Sequence, residues 1–252
     1  MDNRVVITAA NSPYFDSLKT LVDGIHEHNF DLIDKIVVYD LGLTEYEINN
    51  LNNLQKVEIK KFEISPLPFE DYLKPKGHAY KLFCLWQEQN FAKNILWLDA
   101  GVMPLRSIKE IFDIIEKEDI FLVGDIHLNK NFTKKSCVDI MNASEKELED
   151  NQLSSGILGY KAKGNYQKLI DEAYEYSKIE GCVVGDEENH RHDQSVYSIL
   201  ASRYNCKKYD IDIYGYWTNH ERTLKTAIEK NAMIFVHRRG HNDHRHLKYK
   251  NE

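Results

Sequence analysis

The chain has 252 residues, 42% of them hydrophobic, enough for one sizeable α/β domain. Its net charge of −7 excludes the broad basic footprint that nucleic-acid binding needs. No run is long and apolar enough to span a membrane, and the start Met1-Asp-Asn-Arg does not read as a signal peptide. Cys84, Cys137, Cys182 and Cys206 form no CxxC pair and no zinc spacing, so reduced thiols and a cytoplasmic location are expected. The charge is uneven: Arg238, Arg239, Arg245, Lys248 and Lys250 make the tail cationic, which points to an anionic ligand or an anionic surface.

Arg4-Val-Val-Ile-Thr-Ala-Ala10 is apolar and β-branched and predicts the first strand, broken by Asn11-Ser-Pro13. Leu18, Leu21, Val22 and Ile25 share one face of a helix over 14–28. Lys35 to Tyr39 predicts a second strand ending at Asp40. Thr44 with Glu47 three residues on is a capping-box pattern, opening a helix with Ile48, Leu51 and Leu54. Val57 to Phe62 predicts a third strand. This is the β-α-β-α-β rhythm of a parallel nucleotide-binding half. A Pro-rich connection over 65–75 leads to a helix over 78–91, with Ala79, Leu82, Phe83 and Trp86 buried. Ile95, Leu96, Trp97 and Leu98 then form a continuous apolar run, as in a strand buried on both faces of a parallel sheet. Ser107 is expected to cap a helix bearing Ile108, Ile111, Phe112 and Ile115, and Ile120 to Val123 predicts another strand. The polar, aperiodic 125–151 reads as a long loop or small helices over the site. Leu153 to Tyr160 is strand-like but interrupted by Ser154-Ser155-Gly156. Helices should follow from Gly164-Asn165 and after Asp193. Ala232 to Val236 predicts the last strand, which runs into His237.

Asp99 stands directly after the apolar run, at the carboxyl end of a central strand. Open α/β sheets bind ligands outside those ends, and a carboxylate there is costly to bury without a partner. A ligand role is therefore read for Asp99, with capping or turn bonding as the alternative. Other polar clusters follow or interrupt strands: Thr8 to Asn11, Asp99 to Gly101, Ser154 to Gly156, and His237 to Gly240. Asp193 reads equally as a helix N-cap or a reactive carboxylate. His237 reads as a satisfied strand-end histidine or as a metal ligand beside Asp99. Gly240 would let backbone amides approach a phosphate.

Trp97-Leu-Asp-Ala-Gly-Val-Met-Pro-Leu-Arg-Ser-Ile-Lys-Glu-Ile-Phe112 resembles the DxD region of nucleotide-sugar glycosyltransferases of the GT-A fold, most similar to family 8 and its relatives. Thr8-Ala-Ala-Asn11 with Tyr14 resembles that family's first strand and turn, which hold base and ribose. His78-Ala-Tyr-Lys-Leu82 resembles the helix whose basic residue reaches the donor, here Lys81. Ser154-Ser-Gly-Ile-Leu158 resembles the Asn-Ser-Gly strand beside the donor sugar. Asp193-Gln194 resembles the Asp-Gln motif near the reacting carbon, and His237-x-x-Gly240 the late His-x-x-Gly that supplies a metal ligand and a phosphate contact. Two places depart from the pattern. The second DxD carboxylate is Gly101, and the lysine after His-x-x-Gly falls at Asp243.

The resemblance implies one GT-A-like domain with a mostly parallel sheet flanked by helices. Residues 1–101 would form its nucleotide-binding half, and 102–252 its acceptor half with the basic segment. It implies transfer of a sugar from a nucleoside-diphosphate sugar to an acceptor hydroxyl, with retention of configuration. The expected donor-binding set is Thr8, Ala9, Ala10, Asn11, Asp40, Lys81, Asp99, Ala100, Gly101, Ser154, Ser155, Gly156, Arg238, Arg239 and Gly240. Asp193 and Gln194 are the catalytic candidates. Asp99 and His237 are the candidate ligands of a divalent metal, Mn²⁺ or Mg²⁺, whose shell the donor diphosphate would complete. The expected acceptor is a glycan or lipid-linked molecule in bacterial-type surface glycan synthesis, with peripheral contact at the inner membrane face through the basic tail. The alternatives are a nucleotidyltransferase on a similar sheet, and a non-catalytic nucleotide-sugar or glycan-binding protein, which Gly101 favours.

Overall fold

The computed structural model describes residues 2–74, 78–186, 188–241 and 244–251. Its centre is a six-stranded sheet in the order β3-β2-β1-β4-β7-β6. β1 (Asp2–Ala10), β2 (Lys35–Asp40), β3 (Val57–Lys60) and β4 (Ala92–Leu98) run parallel to one another. β7 (Asn151–Lys161) pairs antiparallel with both β4 and β6 (Ile120–Leu128). Five strands therefore point one way and one the other. The apolar run at 95–98 is buried as its composition demands, with no residue more than 1% exposed. Its neighbours are one parallel and one antiparallel strand, not two parallel ones.

α1 (Phe15–His28) buries Leu18, Leu21, Val22 and Ile25 completely against one face of the sheet. α4 (Lys109–Glu118) lies on that face too, burying Ile111, Phe112 and Ile115. α3 (Ala79–Glu88), α7 (Gln167–Ser177) and α9 (His192–Arg203) cover the other face. Thr44 and Glu47 form the expected capping box on α2 (Glu45–Asn52). Ser107 bonds Lys109 N–H at 3.3 Å, but the N-cap position of α4 is Ile108, whose own N–H bonds Asn29.

Three stretches differ from their sequence reading. β6 runs on to Leu128, into the stretch read as a long loop or small helices, and the rest of that stretch contains small helices, α5 (Lys135–Met141) and α6 (Glu145–Leu148). β7 passes through Ser154-Ser155-Gly156 without a break. A second, three-stranded sheet joins β5 (Val102–Pro104) and β8 (Tyr216–Trp217) to a central β9 (Ile234–Val236). The basic tail does not project. Lys248 N–H bonds the His26 ring, Lys250 N–H bonds the Asn53 carbonyl, and the Lys248 ammonium sits 3.6 Å from the Phe30 ring centre.

Candidate active site

Parallel pairing brings the carboxyl ends of β1, β2 and β4 to one edge of the sheet, so Asn11, Asp40 and Asp99 reach the same side. Because β7 is antiparallel, its early residues arrive there as well: Asp99 N–H bonds the Gly156 carbonyl at 2.9 Å. A cleft of about 300 Å³ opens at this edge. Ala9, Ala10, Asn11 and Tyr14 form one wall, and His78 and Tyr80, at the start of α3, another. Trp97 and the segment Asp99 to Val102 form its floor, and Val236 and Arg238 close it. A larger groove of about 700 Å³ follows the edge strand β3, and several of its charges are spent in ion pairs. Lys35 pairs with Glu58 at 2.6 Å, and Lys60 with Glu88 at 2.7 Å. The smaller cleft is the one with unspent chemistry.

Lys81 is the hub. Its side chain is 3% exposed, and its ammonium lies 3.0 Å from Asp99 Oδ1 and 3.1 Å from Asp193 Oδ2. It also donates to the Ser155 carbonyl at 3.1 Å and approaches Ser155 Oγ at 3.4 Å. Burial opposes the charged form, but the two carboxylates outweigh it and raise the Lys81 pKa above its ordinary value. Trp97 Nε1 donates to the same Asp99 oxygen at 2.6 Å, as the two-residue period of a strand allows. The other Asp99 oxygen explains Gly156, since a Cβ there would lie 3.0 Å from it.

Asp193 does not cap a helix. α9 begins at His192, its N-cap is Arg191, and Asp193 lies inside the first turn, 3% exposed. Its Oδ2 is paired with the Lys81 ammonium at 3.1 Å and has no other partner among the described residues. Gln194 donates to Gln152 Oε1 at 2.9 Å, and Arg191 reaches Gln152 and Asp125, each at 3.2 Å. The buried Gln152 amide nitrogen is unpaired among the described residues. Of this polar group Gln194 was expected from the sequence, whereas Asp125, Gln152 and Arg191 were missed, although Asp125 was visible as a carboxylate past an apolar strand.

Left-handed backbone accumulates around the cleft at His78 (φ 49°), His192 (φ 50°) and Arg238 (φ 60°). Such conformations cost roughly 1–3 kcal/mol each and persist where surroundings fix them. Burial lowers the His78 pKa, partly opposed by the charge of Asp193.

The remaining expected residues divide. Asn11 Oδ1 is buried and unpaired at the cleft wall, free to take a ligand donor. Thr8 is fully buried with an unpaired hydroxyl, but it does not line the cleft. Asp40 spends its carboxylate on Gly42 and Leu43 N–H groups in the turn. Ser154 lies on β7 outside the cleft wall, whereas Ser155 meets Lys81. Ala100 and Gly101 line the cleft. Arg239 sits 5.1 Å from the Tyr14 ring centre. Gly240 bonds its N–H to the His237 carbonyl at 3.0 Å, so that amide closes a turn and is not offered to a phosphate. Asp243 lies outside the described residues.

His237 is 3% exposed, between two cleft residues but not itself in the wall. Its ring stacks on Phe235, with centroids 6.3 Å apart, and burial holds its pKa down at about 4. Beside the Val102 backbone, this neutral imidazole meets no side-chain partner for its nitrogens among the described residues, and it has ligand chemistry. Its companion Asp99, however, already serves Trp97 and Lys81 through Oδ1, and position 101 offers no side chain. Among the described residues, the one trio of ligand atoms close enough to share an ion is Asp23, Glu27 and His246, on α1 and the tail. The donors at the cleft do not by themselves make a divalent-ion site.

The fold is that of solved glycosyltransferases. Over 96% of its length the chain superposes on the WbbM bifunctional glycosyltransferase at TM-score 0.63 and 13% identity, spanning 46% of that chain. It superposes over 92% on the galactosyltransferase LgtC, with donor and acceptor sugar analogues bound, at TM-score 0.59 and 14% identity, covering 86% of that chain. Mouse xyloside xylosyltransferase 1 matches over 93% at TM-score 0.53 and 10% identity, with 96% of that chain covered. At such identities the likeness establishes the fold alone. Residues 1–82 match the model of a family described as a protein of unknown function (DUF1647). No curated protein matches the chain.

Proposed function

We propose that this chain is a glycosyltransferase that moves a sugar from a nucleoside-diphosphate sugar to an acceptor hydroxyl. The observation that carries the reading is the buried Lys81 ammonium, bracketed by Asp99 and Asp193 at the strand-end cleft of this fold. In such a transfer the bond from the anomeric carbon to the diphosphate oxygen breaks. A bond to the acceptor oxygen forms, and the acceptor proton leaves. Negative charge grows on the diphosphate, and preorganised cations stabilise it. Lys81 and Arg238, with Arg239 nearby, would take that task. Asp193 would face the positive charge developing at the anomeric carbon, with Gln194 orienting a hydroxyl. The base and ribose would lie against Ala9, Ala10, Asn11 and Tyr14.

The acceptor would approach from the second half of the chain, where Asp125, Gln152, Arg191 and Gln194 meet. Retention of configuration, a hexosyl donor, a glycan or lipid-linked acceptor in surface glycan synthesis, and a cytoplasmic site of action extend the reading by resemblance. Of the divalent ion so implied, Asp99 and His237 are the candidate ligands, and no step is assigned to it. No helix among the described residues is long and apolar enough to cross a membrane.

A thermal-shift screen of nucleoside diphosphates and their sugars tests the donor reading. A ligand at a hundred times its Kd stabilises the folded state by about 2.7 kcal/mol. One nucleoside series should raise the melting temperature, and silence across the whole panel would contradict the reading.

A further inference from the structure

We propose that the Arg238 guanidinium does in this cleft what a divalent cation would otherwise do: it holds the donor's diphosphate, so that the donor binds without a metal. The inference rests on reading the cleft as a nucleoside-diphosphate site.

It begins at Gly101. A Cβ added there would lie 2.5 Å from the Arg238 carbonyl oxygen, 2.8 Å from its Cα and 3.0 Å from its carbonyl carbon. These are backbone atoms and cannot swing aside. The Gly101 carbonyl also accepts both His237 N–H, at 3.0 Å, and Arg238 N–H, at 2.9 Å, which latches the two segments together. A carboxylate at position 101 and the Arg238 backbone in its present place therefore exclude each other. The chain carries no acid two residues after Asp99, and the Arg238 backbone fills the space that a side chain there would need.

The place of Arg238 agrees. Arg238 lines the cleft in a left-handed conformation, while the adjacent His237 is buried against Phe235. Arg238 is exposed and forms no ion pair among the described residues, so its charge is unspent. The cleft needs that charge. Lys81 sets one ammonium against two carboxylates, a net single negative charge beside the cleft, and one of the two, Asp99, lines it. Guanidinium matches phosphate oxygens with two parallel donors and stays charged at any working pH.

Calorimetric titration with uridine, guanosine, cytidine and adenosine diphosphates, in EDTA and again in Mn²⁺, decides the matter. The diphosphate that binds should do so equally well in both buffers. Arg238→Gln should weaken it by about tenfold or more, the worth of one charge-assisted hydrogen bond. It should leave affinity for the parent nucleoside unchanged. Arg238→Lys, which keeps the charge and loses the fork, should fall between. Arg238 is exposed, so the folded state should survive either change, as circular dichroism will report. Binding that appears only with Mn²⁺, or an Arg238→Gln protein that binds as the wild type does, overturns the inference and leaves the donor reading standing. Failure of every diphosphate to bind wild-type protein in either buffer removes the donor reading and this inference with it.

Discussion

Lys81 shows how one side chain ties stability to function. Its ammonium and the Asp193 carboxylate are both almost fully buried, 3% and 4% exposed. Two charges taken out of water are tolerable only together. Lys81→Met should therefore strand Asp193 and half-buried Asp99 against each other and cost roughly 3–5 kcal/mol, the usual toll of breaking a buried pair. Urea denaturation measures this, and an unchanged midpoint would show that the pair is not coupled to folding. The sequence marked Lys81, Asp99 and Asp193 separately, through strand-end position and resemblance. It did not show that they touch, because the contacts join α3, β4 and α9, whose meeting is fixed only by the packed sheet. Trp97 was read as core. Its indole N–H on Asp99 makes it part of the site as well.

At the scale of elements, what was legible followed from one-sided burial. α1, α2 with its capping box, and the parallel strands β1, β2 and β4 follow their apolar patterns closely. β7 was harder, because its Ser-Ser-Gly stretch has the composition of a loop. The structure gives the reason: Ser155 turns its oxygens to Lys81, and Gly156 clears space for Asp99. Contacts with Lys81 and Asp99 take the place of the strand pattern there. Of the small sheet, β9 was read from the apolar Ala232 to Val236, whereas β5 and β8 were not, because strands of two or three residues carry no period. The tail read as a charged patch is a packed strap along α1, since Thr20 Oγ1 bonds the His241 carbonyl and Asp23 accepts the His246 N–H. Its backbone bonds were not visible in its charges.

The whole molecule should be acid-sensitive. His26 and His190 are 1% and 0% exposed, and burial holds each at about 4 against an ordinary value of 6.5. Between those values the unfolded chain binds protons that the folded chain refuses. Their contribution is therefore complete above pH 6.5 and falls as pH drops toward 4. Melting temperature should decline through that window, and a flat profile would contradict the neutral burial of these rings. The central proposal also belongs to the molecule as a whole: the sheet, the cleft and the Lys81 hub would together make a place where a diphosphate leaves a sugar. The most direct measurement is release of nucleoside diphosphate from the preferred nucleotide sugar, by wild-type protein and by Asp193→Asn. The account predicts release by the wild type and a fall of about a hundredfold or more in Asp193→Asn, the scale of one electrostatic stabiliser, at nearly unchanged donor affinity. Tight donor binding with no release by the wild type would make this a binding protein, and equal release by both proteins would take the chemistry away from Asp193.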